Sequence, residues 1–408
     1  MPRDAPRHSS AVEVRRACPL DAEGVCSEID DPTSCARSRD SRSTASDLPD
    51  ELHPRHLWRR VAQLVLAVAL VGVAVAAAPG LGGLRGHFER AQPAWLVVAI
   101  AAEVASALSY VVVLRAVFCR RMQWRRSYQL GMSELAANSL LPAGGAGGLA
   151  LGAWALHRGG MSTRHIARRT VVFFLVTSAA NFAAVIFAGW ALASGLLPGG
   201  APLVLTLVPA SLAAVIVLLV VFVLPRLLDR IAPAAWPPRT TRGVRGRARA
   251  LAIRTSETLA QGVREAVSVL RVGRPLAIAG SVGYMAFDIG VLAACFAATG
   301  STPPPAGVLV LAYTIGQLGA LIPLPGGIGA TGGGLIAAFV LYGASIGPAT
   351  AAVLLYRAVQ LGVPALLGPP AFVLLQRALL RGDAQMSICE TLADHDTANR
   401  LDACEGTA

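Results

Sequence analysis

Ile322–Gly334 reads IPLPGGIGATGGG, and this Pro-Gly run interrupts a long apolar segment, Ala306 to Tyr342. A second run, LLPAGGAGG at Leu140–Gly148, interrupts the apolar segment Ser127 to His157 in the same way. Pro lacks a backbone N–H and Gly gives up helical stiffness, so each run opens the backbone. An open backbone cannot face lipid, because its unpaired N–H and C=O groups would be costly there. It is tolerated only where protein buries it or where it lines a cavity. Both segments therefore read as broken helices or re-entrant hairpins, not as single crossings.

The surrounding composition agrees with a membrane setting. Of 408 residues 54% are hydrophobic and 15% charged, with a mean hydropathy of +0.56, which excludes an ordinary soluble enzyme. A crossing helix needs about 20 apolar residues. Ala94 to Leu114, Val171 to Leu197, Pro202 to Leu224, Pro275 to Ala298 and Thr350 to Leu375 each supply one. Val61 to Ala78 ends in an A-x-A pattern like a signal peptide, but a long acidic, polar stretch precedes it, so it reads as a first span. The expected fold is an all-α polytopic membrane protein. Residues 1–57 read as a disordered cytoplasmic tail, 58–380 as the transmembrane domain and 381–408 as a second cytoplasmic tail.

Every one of the 36 basic residues is Arg, and with 24 acidic residues they leave a net charge of +12. Their placement orients the spans. Arg clusters at 55–60, 115–126 and 158–169 and the loop from Pro225 to Arg274, with eleven Arg against three acids, mark the cytoplasmic side. The linkers 194–201, 299–305 and 343–349 carry no charge and read as external; Arg85 and Arg90 are discordant. In the basic loop, Leu259, Val263, Ala266, Val267 and Leu270 recur at helical spacing, as in an amphipathic helix lying on the inner leaflet against anionic lipid.

Sliding the chain on itself by 183 residues lays Pro142 on Pro325, Gly144 on Gly327, Gly160 on Gly343 and Ser162 on Ser345. The charge map gives the matched spans opposite directions. Together these predict an inverted repeat of span, broken hairpin and span, an architecture that puts a binding site near the midplane. Two unrelated kinked helices are the alternative.

Ionisable groups inside spans are costly and call for a reason. Glu103, Asp288 and Arg357 fall in the outer half and could share a cavity. There Arg357 would hold a lipid phosphate and the carboxylates a cationic headgroup or protons. A buried ion pair that only fixes packing is the other reading, and both stay open. Glu134 and Asn138 lie at i and i+4 facing the first break, with Gln317 standing where the repeat would place Glu134; snorkelling to the headgroups is the plainer reading of Glu134. Helix ends freed at Pro142 and Pro325 would offer N–H groups to an anion. The breaks themselves, Pro142, Gly144, Gly145, Pro323, Pro325, Gly326, Gly327 and Gly329, complete the candidate binding set with Tyr356. Tyr110, Tyr284 and Tyr356 otherwise read as interface anchors or packing, and His157 and His165 as headgroup contacts.

Seven scattered cysteines without a C-x-x-C pair indicate neither a zinc module nor a disulfide framework, and no cofactor is implied. No Walker loop, G-x-S-x-G or H-E-x-x-H motif occurs. NSLLPAGGAGG followed by HRGGMS, and LPGGIGATGGG followed by LYGAS and LLYRAVQLGVPALLG, resemble the flippase-like family typified by the membrane region of lysylphosphatidylglycerol synthases. The resemblance spans roughly residues 58–380 and implies a bundle that moves lipids or lipid-linked headgroups between leaflets of the cell membrane, without the synthase's aminoacyl-transferase domain. The family commonly has an acid after each break, where Gly148 and Gly332 stand here, and an Arg where Leu151 stands. A neutral or anionic lipid, or an isoprenoid-linked sugar, is then the expected cargo. The alternatives are a membrane-embedded transferase acting on a lipid-linked sugar through Glu134, and an accessory subunit that positions a partner enzyme.

Overall fold

The computed structural model describes residues 92–140, 146–200, 202–224, 226–227, 258–270, 274–317 and 328–382. All regular structure among them is helical. In the first half these helices are α1 (Pro93–Phe118), α2 (Trp124–Leu140), α3 (Ala146–Arg158), α4 (Thr163–Ala193) and α5 (Leu203–Leu218), the last continued by a π-turn at Leu219–Val223. Then follow α6 (258–270), α7 (Pro275–Ala298), α8 (Ala306–Gln317), α9 (Ile328–Leu341) and α10 (Ile346–Leu380). Five are long and apolar enough to cross a bilayer: α1, α4, α5 with its π-turn, α7 and α10. The chain is a multi-pass membrane protein. The predicted span Val61 to Ala78 and both tails lie outside the described residues.

Each broken segment is a pair of short helices packed on each other, α2 with α3 and α8 with α9. At 1.5 Å per residue, the described parts of α8 and α9 span about 18 and 21 Å. The Pro-Gly runs at 141–145 and 318–327 fall outside the described residues.

Helix ends follow local chemistry. Pro93 and Pro275 open α1 and α7, where a missing N–H costs nothing. Ser162 caps α4 by accepting from the His165 N–H at 3.3 Å. As a result α4 begins at Thr163, and Arg164, Arg168 and Arg169 lie in its first turns instead of in the expected loop. α10 also exceeds the predicted span, starting four residues earlier and ending five later, and it continues as expected through Pro364, Pro369 and Pro370 while packing against α2.

The helix starts recur along the chain: Pro93 and Pro275, and Trp124 and Ala306, are each 182 residues apart, and Thr163 and Ile346 are 183 apart. The turns entering α4 and α10 are also built alike. Gly160 and Gly343 take φ of 93° and 89°, and Met161 and Ala344 donate back to the Leu156 and Phe339 carbonyls at 3.1 and 2.9 Å. This ending needs left-handed backbone, which is why glycine stands at both places.

α1 and α7 pack antiparallel along their length. Gln92 N–H donates to Ala298 O at 2.9 Å at one end, and Ser106 Oγ donates to Tyr284 O at 3.1 Å further in. α5 presents its apolar surface almost entirely outward, touching the protein through Thr206, Ala210 and Ala213, so lipid is its main covering.

α6 corrects an expectation. Its buried face is Ala260, Val263, Ala266 and Val269, whereas Leu259 is exposed. The face packs on α4 at Val171, and Glu265 is ion-paired with Arg168 and Arg169. Protein, not the leaflet, covers Val263 and Ala266 of the predicted stripe. Of the described cysteines, Cys119 is disulfide-bonded and Cys295 is a buried free thiol.

Candidate functional site

Glu134 projects from the middle of α2 and is nearly fully buried. Tyr110 of α1 donates to its Oε2 at 2.7 Å. Its Oε1 lies over Gly152 of α3, where a Cβ would stand only 1.9 Å away. One turn on, Asn138 accepts from the Gly148 N–H at 2.8 Å, and a Cβ at Gly148 would meet the Asn138 Oδ1 at 2.5 Å. The two glycines of α3 are thus the recesses that receive the two polar side chains of α2. Glu134 does not snorkel.

This polar pair forms one wall of a cavity of about 390 Å³. Tyr110, Phe173 and Tyr284 close it on the protein side, and Leu149 and Phe174, each nearly half exposed, stand at its rim. A volume in that range suits a small ligand group. The site pairs a carboxylate and an amide inside with apolar side chains at the mouth. Chemically it can accept hydrogen bonds from a polar headgroup while hydrocarbon remains outside.

A second polar cluster surrounds Asp288 of α7. Tyr313 of α8 donates to Oδ2 at 2.5 Å, Tyr356 of α10 donates to Oδ1 at 3.0 Å, and Gln360 Nε2 donates to Oδ2 at 3.4 Å. Gln360 also donates to the Tyr356 hydroxyl at 2.6 Å and accepts from Arg357 Nη1 at 2.6 Å. Arg357 therefore reaches the carboxylate through an amide as well as through space. Gln317 reaches the Tyr313 hydroxyl. Glu103 of α1 lies opposite Asp288 across the antiparallel pair, buried, with Oε2 receiving no hydrogen bond. Such a donor-lined carboxylate is held in place; it can store charge or a proton more readily than it can grip a bulky ligand.

The structure thus brings Glu103, Asp288, Gln317, Tyr356 and Arg357 into one cluster, and Glu134 with Asn138 into another. Pro142, Gly144, Gly145, Pro323, Pro325, Gly326 and Gly327 lie outside the described residues, and Gly329 is in the first turn of α9. Of the two readings given for Tyr110 and Tyr356, interface anchor or packing, burial favours packing, and both are in addition hydrogen-bonded to buried carboxylates. His165 is no headgroup contact: it is buried, with Arg169 Nε 3.4 Å from its ring. Sequence reasoning also missed Tyr313 and Gln360. Gln360 had a signal, standing three and four residues after Arg357 and Tyr356; Tyr313 had none.

At the opposite end of α7 from its Arg274 start, an open recess of about 610 Å³ is lined by the uncharged linkers, including Gly199, Gly300, Pro304 and Ser345.

A sequence profile described as the lysylphosphatidylglycerol synthase TM region matches residues 60–368. A comparison with curated proteins finds no match.

Proposed function

Because the chain belongs to the lysylphosphatidylglycerol synthase transmembrane-region family, we propose that it is a lipid translocase, moving a phospholipid or lipid-linked headgroup between leaflets without covalent catalysis. The observation that carries this reading is the cavity at Glu134 and Asn138, polar within and rimmed by exposed Leu149 and Phe174. Headgroup and chains could occupy it together, with the headgroup desolvated against the carboxylate and amide and the chains left in lipid.

We read the two halves as an inverted repeat, a reading supported by the repeated helix starts and by the antiparallel packing of α1 and α7. Arginine placement puts both termini and the loop between α5 and α7 on the cytoplasmic side of the cell membrane. The cavity then opens on the inner half, for Phe118, Leu156 and Ile166 line its far end beside the Arg clusters. Anionic lipids of the inner leaflet are the expected surroundings, and the basic loop is the proposed docking surface for a partner enzyme.

Purified protein in liposomes, tested over a panel of headgroups, decides between this and transfer chemistry. Movement of labelled lipid by wild type, lost when Gly152 is replaced by Leu, is the expected result. Product formation from a lipid-linked sugar donor, abolished by Glu134→Gln and without lipid movement, would establish the transferase instead.

A further inference from the structure

We infer that Glu103 is a proton-binding site, reached from the cavity through Tyr284, that couples lipid movement to protons. Only the coupling step rests on the translocase reading; the proton site stands on the geometry around Glu103.

Glu103 sits about 15 Å from the Pro93 end of α1, roughly half the hydrocarbon thickness. It is 5% exposed, and its Oε2 has no hydrogen-bond partner. An ionised carboxylate there would be a buried anion lacking donors, whereas the protonated acid carries no charge to compensate. The group facing it is a second carboxylate. The register fixed by Gln92 with Ala298 and Ser106 with Tyr284 places Glu103 against Asp288, and the two interact electrostatically. Like charges so placed in a dry interior repel, so the pair holds one proton.

The donors decide which member holds it. Asp288 accepts from Tyr313, Tyr356 and Gln360, with Arg357 behind Gln360, and this ring suits an anion. Glu103 has no such ring. The same donors argue against a metal ion, since they aim hydrogens at Asp288, and no group of three metal-ligating side chains occurs among the described residues. The other titratable groups within electrostatic reach of Glu103 are Tyr284 and Cys295 of α7 and Tyr356 of α10. Arg357 of α10 and Tyr313 of α8 act on Asp288. On α2 the nearest such group, Glu134, meets α1 two turns further along, at Tyr110.

Tyr284 links the two clusters. It lines the cavity, its ring stands 5.6 Å from that of Tyr110, and it interacts electrostatically with both Glu103 and Asp288. A proton leaving the Glu103 carboxyl passes by way of the Tyr284 hydroxyl to water in the cavity and returns by the same route. No other group need change its charge.

The test uses full-length protein: wild type, Glu103→Gln, Asp288→Asn and Tyr284→Phe. Infrared spectroscopy, with the band of the other buried carboxyl identified and subtracted through a Glu134→Gln variant, should find the carbonyl stretch of a buried protonated carboxylic acid in wild type. That band should be lost in Glu103→Gln and kept in Tyr284→Phe, with slower hydrogen–deuterium exchange in the latter. In liposomes an imposed pH gradient should change the wild-type rate of lipid movement, and the ratio of rates with and without the gradient should fall to one in Glu103→Gln. Absence of the band in wild type, or its survival in Glu103→Gln, overturns the proton site whether or not the variants are active. A band lost in Glu103→Gln beside a gradient response that persists overturns the coupling alone. A band lost as expected in a protein that moves no lipid leaves the proton site standing and overturns the translocase reading.

Discussion

The helix pair α2 and α3 and the pair α8 and α9, proposed above as the two hairpins, occupy corresponding places in the chain, yet they are filled in opposite ways. In the first, the knob comes from the first arm: Glu134 projects over Gly152. In the second it comes from the other arm: Leu335 of α9, fully buried, fills the room beside Gly316 of α8. Leu335 stands where the 183-residue offset would place Gly152, and Gln317 where it would place Glu134. One hairpin is thus packed with hydrocarbon, and the other presents a carboxylate to a cavity. A repeated backbone plan does not require a repeated site. The polarity that the second hairpin lacks between its arms appears behind it instead, where Tyr356, at the place corresponding to Phe173, donates to Asp288.

The largest effect should separate the two carboxylates by how many donors each satisfies. Asp288→Leu strands Tyr313, Tyr356 and Gln360 together and should cost about 3–5 kcal/mol, as when one partner is removed from a buried charged network. Glu134→Leu strands Tyr110 alone and should cost about 1–3 kcal/mol. Denaturant unfolding in detergent measures both. Equal losses would mean that the two clusters share one structural role.

A smaller loss of stability, with total loss of function, is expected when the first hairpin is made like the second. Gly152→Leu drives a side chain into the space of the Glu134 carboxylate. Overpacking of this kind costs about 1–3 kcal/mol, leaving a folded protein with its cavity closed. Lipid movement should vanish while detergent-solubilised yield and helicity persist. Retained movement would remove the cavity from the transport path.

How much of this was legible follows from the range of each signal. Crossing helices announce themselves through length and composition, so α1, α5 and α7 were readable to within a few residues. The Pro-Gly runs proposed to break two further segments lie outside the described residues, which show only the helices on either side of them. α4 and α10 ran past their predicted limits. Ser162 moved the start of α4 back over three arginines, and α10 gained about a turn at each end of the predicted Thr350 to Leu375, whose prolines it passes through as expected. The sites were legible only where partners lie within one turn, as with Tyr356 and Gln360. Tyr313 and Asp288 are 25 residues apart on different helices, and Tyr356 and Asp288 are 68 apart. No periodicity encodes such meetings. A tyrosine near the end of an apolar run looks the same whether it reaches a headgroup or a buried carboxylate.

The smallest effect concerns the single hydroxyl that holds Glu134. Tyr110→Phe removes the 2.7 Å hydrogen bond to Oε2 but keeps the ring, which packs edge-on against Phe173 with centroids 5.2 Å apart. The ring accounts for most of the buried area, so the loss should be that of one hydrogen bond, about 1–1.5 kcal/mol. Phe173 lines the same cavity as Glu134 and stands where the offset would place Tyr356, the tyrosine that serves the other carboxylate. If the halves differ only in which of their corresponding positions carries the donor, adding a hydroxyl by Phe173→Tyr in the Tyr110→Phe background should recover part of the stability and of the headgroup preference. A double-mutant cycle read by both unfolding and liposome transport measures that coupling. A coupling energy of zero in both would mean that the second half's use of a tyrosine at this place says nothing about how the first half holds its carboxylate.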